Sequence, residues 1–556
     1  MQTAQLVLLS STFVWILSTV LSVSALQHPE RTATGVHVPI FRRATRSRVE
    51  RRAGLTGSAG VGDYYDITYN FLMTVGGTEV PVVLDTGSSD LWVASDACTD
   101  CVTSLPLFPQ ETVTQAGMDV DLLYGDSLSG SHASGIIGTT AVSFAGISVP
   151  NQYFAAINNT NTNVLETGCA GIFGLGFALN SVIWNEVFAF KFTASQSPSR
   201  LSLSRRPISS NYGTRFFPHL SSLVSSRKRT SSAALTAAVL QSYPTYGPAV
   251  TRMVTTKSLA MPMFTIALQR DTLDIGGNAG VLSLGQLPAG VETSSLIWVS
   301  VRGYPGALAA PADSPNEDYP IAWELFIDDV YLDGVRLPRS NLSSPNIKLS
   351  GLVDTGNSLL RGPADVVNMI NSRIGKIFPC STPHTMAFSI GGKLFPIDPR
   401  DFATPATDGR LNGCVSNVVE TDPPVEGRGY QYSWSLGDPF IKGVLAAFYY
   451  GNVTYPSVDP PRIGLLSTVP DNAGELLQSA ISSAMSDNGG NEFSTMNVAP
   501  TGVPEAFGAP AGTGVPPAPD GKLSNNNTSG AERVRRLSDG WLWLTMPLLS
   551  GLASLV

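Results

Sequence analysis

A chain of 556 residues exceeds one ordinary domain, so two sizeable lobes with appendages are the natural expectation. With 35 Lys and Arg against 43 Asp and Glu the net charge is −8, and no basic stripe is interleaved with aromatics, which excludes nucleic acid as a partner. Short apolar runs punctuated by Gly, Pro, Asn and Ser, with little helical periodicity, predict an all-β protein.

The first 25 residues hold an apolar run, Leu6 to Leu21, closed by Val23-Ser24-Ala25, small residues where a signal peptidase reads. Residues 26–52 carry seven Arg and two Glu and end in Arg51-Arg52. This is the pattern of a basic propeptide with a dibasic processing site and a mature start near Ala53; the alternative is a basic arm that is never removed. Charge attraction would hold such a propeptide over the acidic body at neutral pH as an inhibitor, and acidification would weaken the hold.

Tyr69 to Val75 alternates, Gly76-Gly77 turns, and Thr78 to Leu84 returns, a hairpin that leads directly into Asp85. From Pro81 to Val93 the chain reads Pro-Val-Val-Leu-Asp-Thr-Gly-Ser-Ser-Asp-Leu-Trp-Val. Its echo, Gly351-Leu352-Val353-Asp354-Thr355-Gly356-Asn357-Ser358-Leu359-Leu360, repeats the order of apolar run, Asp-Thr-Gly, polar pair and apolar exit. One Asp-Thr-Gly could be a surface turn; two in matching apolar frames point to a duplicated functional loop. Between them lie Leu122-Leu123-Tyr124-Gly125-Asp126-Ser127, Gly135-Ile136-Ile137-Gly138 and the glycine-punctuated Ala170 to Phe177.

Residues 191–240 break the pattern, with eight Lys or Arg, thirteen Ser and no acidic residue. They read either as a solvated surface insertion or as translation of an unspliced intron, and the second is favoured because the flanks would join without a gap. The second half starts at Pro262-Met263-Phe264-Thr265 and the turn-rich stretch to Gly285. Trp323-Glu324-Leu325-Phe326 then leads into a hairpin turning at Asp333-Gly334, whose return runs toward Asp354. The stretch 467–530, rich in Ser, Gly, Pro, Ala and Asn, is expected to be a flexible stalk. Ser529-Gly530-Ala531, the polar spacer Glu532 to Gly540 and the apolar Trp541 to Val556 predict that residues 531–556 are a glycosylphosphatidylinositol (GPI) attachment signal; the alternative is a short tail anchor. Glycosylation sequons fall at Asn158, Asn341, Asn452, Asn526 and Asn527.

The two loops, the Tyr-Gly pair and the closing Trp434-Ser435-Leu436-Gly437-Asp438-Pro439-Phe440 and Ile463-Gly464-Leu465 resemble pepsin-like aspartic proteases over residues 60–466, the insertion excepted. The two ends are similar to those of surface-anchored, yapsin-like fungal members. The resemblance implies a bilobal fold of two six-stranded-barrel-type lobes, residues 53–250 and 251–466, with the active-site cleft between them. It assigns Asp85 and Asp354 as the catalytic pair, Thr86 and Thr355 as threonines interlocking the loops, and Gly87 and Gly356 as close-approach positions. Ser88 matches the hydroxyl bonding the first carboxylate; Asn357 stands where the family has Thr or Ser. Tyr124 and Gly125 match the tip of a flap over the substrate, Asp126 replaces a small hydroxyl residue there, and Trp92 matches the tryptophan bonded to the flap tyrosine. Cys98 with Cys101, and Cys380 with Cys414, match family disulfides, and Cys169 is left as a buried free thiol. The expected enzyme is a monomer needing no cofactor or metal, acting on peptides and proteins.

Two carboxyls held together suit amide hydrolysis, because like charges about 3 Å apart retain one proton between them, as in pepsin itself, the standard example of such a pair. The ionised member activates a water and the protonated member donates to the carbonyl oxygen. Two rival readings compete with this one. Gly125-Asp126-Ser127-Leu128 spells an esterase motif, but such enzymes need Asp-x-x-His, and none of His28, His37, His132, His219 and His384 has Asp three positions before it. The second is a catalytically silent pepsin-like binding or cell-wall protein.

Overall fold

In a computed structural model the described residues are 54–64, 68–101, 103, 105–125, 130–196, 232–268, 280–406, 411–426 and 430–487. The expected signal, propeptide and anchor segments, Asp126, Asn526, Asn527 and most of the insertion lie outside them. The described chain is mostly β, in sheets of thirteen, five, four and two strands. The largest sheet is shared by the two halves. Strand Gly57–Tyr64 pairs antiparallel with Gly280–Leu284 of the second half through Gly57–Val61, and with Thr68–Val75 of the first through Gly62–Tyr64.

The two catalytic-type loops are built by the same pairing order. Strand Thr78–Asp85 runs parallel to Gly171–Gly174, which is antiparallel to Leu91–Ala94, which is parallel to Ile147–Thr160. Strand Ser350–Val353 runs parallel to Trp434–Leu436, which is antiparallel to Leu360–Pro363, which is parallel to Val418–Thr421. Each Asp therefore sits at the end of a strand wedged against an inserted strand from far along the chain. Trp434–Leu436 is thus the counterpart of Gly171–Gly174 and braces the second loop.

The approaches differ. In the first half Thr68–Val75 and Thr78–Asp85 form a continuous hairpin, with Val82, Leu84, Phe71 and Val75 buried. In the second, Asp333 and Gly334 turn with φ of 48° and 75°, but the return strand Val335–Arg336 is two residues long. The following Pro338 and Pro345 lack a ladder N–H, and Ser350–Val353 pairs instead with Glu324–Phe326.

Helices appear where composition concealed them. Within the expected insertion, 191–196 end helix Val182–Gln196 and 232–240 open helix Ser232–Tyr246. Leu235, Val239 and Tyr243, four apart, are buried, and Trp184 donates from Nε1 to Ser242 Oγ at 2.8 Å, so the two helices pack on each other. The start of the expected stalk is likewise folded: Ala473–Asp487 is a helix whose Ala473, Leu477, Ala480, Ile481 and Ala484 are buried. Their spacing makes one apolar face, a signal that a Ser- and Gly-rich composition hid.

Cys98 is bonded to Cys101 and Cys380 to Cys414, while Cys169 is a buried thiol that burial pushes up to about 12. Leu477 is 1% exposed, so Leu477→Ala is expected to cost about 2 to 5 kcal/mol in chemical denaturation. An unchanged midpoint would show that this helix is not docked on the folded body.

Candidate active site

The two Asp-Thr-Gly loops meet through their threonines. Thr86 N–H donates to Thr355 Oγ1 and Thr355 N–H to Thr86 Oγ1, both at 3.0 Å. Each hydroxyl then donates across to the strand before the other loop, Thr86 Oγ1 to Val353 O at 2.7 Å and Thr355 Oγ1 to Leu84 O at 2.5 Å. Both threonines are 1% exposed, and a valine at either position would orphan buried partners on the opposite loop.

This clasp brings the carboxyls together. A Cβ added at Gly87 would lie 2.3 Å from Asp354 Oδ1, and one added at Gly356 would lie 2.5 Å from Asp85 Oδ1. Each glycine thus makes room for the carboxyl of the other loop.

The donors are unequal. Asp85 Oδ1 accepts from Gly87 N–H at 2.8 Å and Ser88 N–H at 3.2 Å, and its Oδ2 accepts from the Ser88 hydroxyl. Asp354 Oδ1 accepts from Gly356 N–H at 3.0 Å. Asn357 does not play the part of Ser88: its amide donates to Ser435 Oγ at 2.9 Å, and its Oδ1 accepts from Leu359 N–H and Arg361 Nε. An amide on a turn whose neighbour Arg361 needs an acceptor is drawn to that partner. Burial raises both carboxyl pKa values, and for Asp354 the Asp85 charge raises it further. With more donors stabilising ionised Asp85, the shared proton favours Asp354, while the pair titrates as a unit.

Tyr124 ends the long strand Thr114–Tyr124, paired antiparallel with Ser131–Phe144, and its hydroxyl accepts from Trp92 Nε1 at 2.8 Å. Burial, then the charges of Asp90 and Asp85, push the tyrosine pKa well up, so its proton stays on. Gly125 follows at φ 77°, in the left-handed region open to glycine.

Asp90, Ser435 and Arg361 entered the site only through the structure. Asp90 is 6% exposed and caps helix Val182–Gln196, accepting from Val182 N–H at 2.8 Å, Ile183 N–H at 3.1 Å and the Ser181 hydroxyl. The first loop is thereby tied to a helix some ninety positions on, a link that only the fold creates. Within the first half Leu175 N–H donates to Asp85 O at 2.7 Å, and across the boundary Leu175 O accepts from Trp323 Nε1 at 2.9 Å and the Tyr450 hydroxyl at 2.6 Å.

Comparison with known proteins adds the family. The model for "Eukaryotic aspartyl protease" matches residues 68–197 and 234–456, skipping the heart of the basic insertion. The chain belongs to the eukaryotic aspartyl protease family. This aspartyl protease is 24% identical to mouse cathepsin E over 426 residues, 73% of this chain and 82% of that protein. It is 23% identical to the aspartic protease of Phaffia rhodozyma over 417 residues, 71% of this chain and 75% of that one. A 39% match to rhizopuspepsin-2 of Rhizopus niveus spans 143 residues, 25% of this chain and only 36% of that protein's length.

Burial raises the Asp90 pKa from 3.8 to about 6, its donors opposing the shift. A carboxyl so shifted binds its proton more tightly in the folded than in the unfolded chain. Its contribution to stability is full below about 3.8 and is lost as pH rises through about 6. The melting temperature of wild type relative to Asp90→Asn is therefore expected to fall between those pH values. A constant difference across the window would refute the assignment.

Proposed function

We propose that this aspartyl protease is an endopeptidase hydrolysing peptide bonds at acid pH, through a water activated by Asp85 and Asp354. The observation that carries the reading is the clasped carboxyl pair, one member richly supplied with donors and the other poorly. In this reading ionised Asp85 takes a proton from the attacking water while protonated Asp354 donates to the carbonyl oxygen of the scissile bond. The roles reverse as the tetrahedral intermediate collapses and the amine leaves, and no acyl-enzyme forms. An extended peptide lies in the cleft under Tyr124, with apolar side chains favoured around the cut. Asn357 then tunes the second loop through Ser435 and Arg361 and leaves the chemistry to the carboxyls.

The decisive assay is cleavage of an unfolded protein between about pH 3 and 6, with and without a pepstatin-type mimic of the tetrahedral intermediate. Asp85→Asn and Asp354→Asn are each expected to lower kcat by at least about a thousandfold, on the scale of a catalytic group's removal. Near-normal turnover in either variant would sink the mechanism. Inactivity of the wild type with its dibasic segment removed would favour the silent, binding-protein reading.

The cellular setting belongs to the same proposal. The signal at 1–25, the basic propeptide at 26–52 and the attachment signal at 531–556 support secretion, self-inhibition near neutral pH and display on the plasma membrane or wall through a lipid anchor. A phosphatidylinositol-specific phospholipase is expected to release the protein from membranes, and deletion of 531–556 to abolish surface retention. Retention in either experiment contradicts the anchor. The jump in the family match from 197 to 234 supports translated intron between those positions, which a tryptic peptide across Leu201 to Arg205 would disprove.

A further inference from the structure

The threonine clasp and the bonds from Trp323 and Tyr450 to Leu175 join the two halves in the interior, where all four side chains are at most 1% exposed. One more tie stands beside the carboxyls and is only half-buried. Tyr430 donates its hydroxyl to Asn180 Oδ1, and its ring lies 5.3 Å from that of Tyr432. Asn180 ends the turn Ala178–Asn180, which directly follows the segment whose Leu175 and Gly176 N–H groups donate to Asp85 O and Ser88 O. Tyr430 leads into Trp434–Leu436, the strand paired with Val353 just before Asp354. The bond therefore couples the segment bracing one carboxyl to the segment bracing the other.

The second-half end of this tie is anchored from behind. Gln431 N–H donates to the Tyr304 hydroxyl at 2.8 Å, and Tyr304 in turn donates to Glu324. Glu324 is wholly buried and also accepts from Arg302 Nη1 at 2.9 Å and from Ser350 Oγ, on the strand that carries Asp354 at its end. Burial, with the charges of Asp354, Glu324 and Asp85, pushes the Tyr430 pKa up against the opposing bond to Asn180, so the hydroxyl remains a donor wherever the enzyme works.

Resting on the endopeptidase reading, we propose that Tyr430 is a positioning residue whose bond to Asn180 sets the alignment of the two lobes at the carboxyl pair. Alignment matters most where the water, both carboxyls and the scissile carbonyl must line up, so its loss falls on turnover more than on substrate binding.

The test uses the full, processed enzyme with a peptide substrate and a double-mutant cycle of Tyr430→Phe and Asn180→Ala. Each single variant is expected to lower kcat about three- to tenfold, the worth of one neutral hydrogen bond, with KM within about twofold. The double variant is expected to be no slower than the worse single one, because both remove the same bond. Unchanged kcat in both single variants overturns the proposal, as do losses that multiply in the double variant, even if melting temperatures drop. Tyr430→Phe keeps the ring, and Asn180→Ala tests the bond from the other lobe should either variant fold poorly. A wild type that cleaves with indifferent variants defeats only Tyr430, whereas a wild type that never cleaves defeats the endopeptidase reading and this inference with it.

Discussion

Two carboxyls that would repel one another are held together by the buried exchange of hydrogen bonds between Thr86 and Thr355. The rest of the architecture serves that exchange. It requires two strands, far apart in sequence, to end face to face, and each end is wedged by an inserted strand, Gly171–Gly174 or Trp434–Leu436. The first wedge is fixed across the boundary by Trp323 and Tyr450, which donate to Leu175 O, and within its own half by Asp90, whose backbone carbonyl accepts from Gly174 N–H and whose side chain caps helix Val182–Gln196. Carboxyls on independent, mobile supports would separate or take up counter-ions, and the shared proton would be lost.

The duplication is faithful in topology and unfaithful in polarity. Both halves use the same order of parallel and antiparallel pairings, yet the first carboxyl receives two N–H groups and a hydroxyl while the second receives one N–H. The difference traces to Asn357, whose side chain serves Ser435, Leu359 and Arg361. A pair of identical environments would leave the proton evenly shared. Here the environment itself separates an acceptor from a donor before substrate arrives, which is what general acid and base roles demand.

Much of this was legible in the sequence, because the chemistry needs specific residues in short, contiguous frames. Asp85-Thr86-Gly87-Ser88, Asp354-Thr355-Gly356 and the hairpin before Asp85 lie in such frames, whereas the pairing of Tyr124 with Trp92 and of Cys380 with Cys414, 32 and 34 positions apart, follows from the resemblance to the family. The parts that escaped depend on where the chain travels between frames. That Asn357 would turn to Ser435, that Asp90 would cap a helix starting at Val182, and that Tyr430 would reach Asn180 are consequences of threading. Local composition also masks structure: Leu235, Val239 and Tyr243 sit beside a Ser- and Arg-rich stretch, and Leu477 and Ile481 lie in a Ser- and Ala-rich one, so their apolar spacing of about four does not stand out. Folding selects that spacing because it lays one face of a helix against a core.

In the proposed mechanism Asp85 and Asp354 work as one unit sharing a single proton. The pH dependence of kcat/KM for the free enzyme tests it most directly, since it reports the essential acid and base together. The expected profile is a bell, rising as the pair loses its first proton and falling as it loses the second, with both limbs belonging to the pair. A rate that climbs with pH through a single ionisation and then stays level to neutral pH and beyond would contradict it.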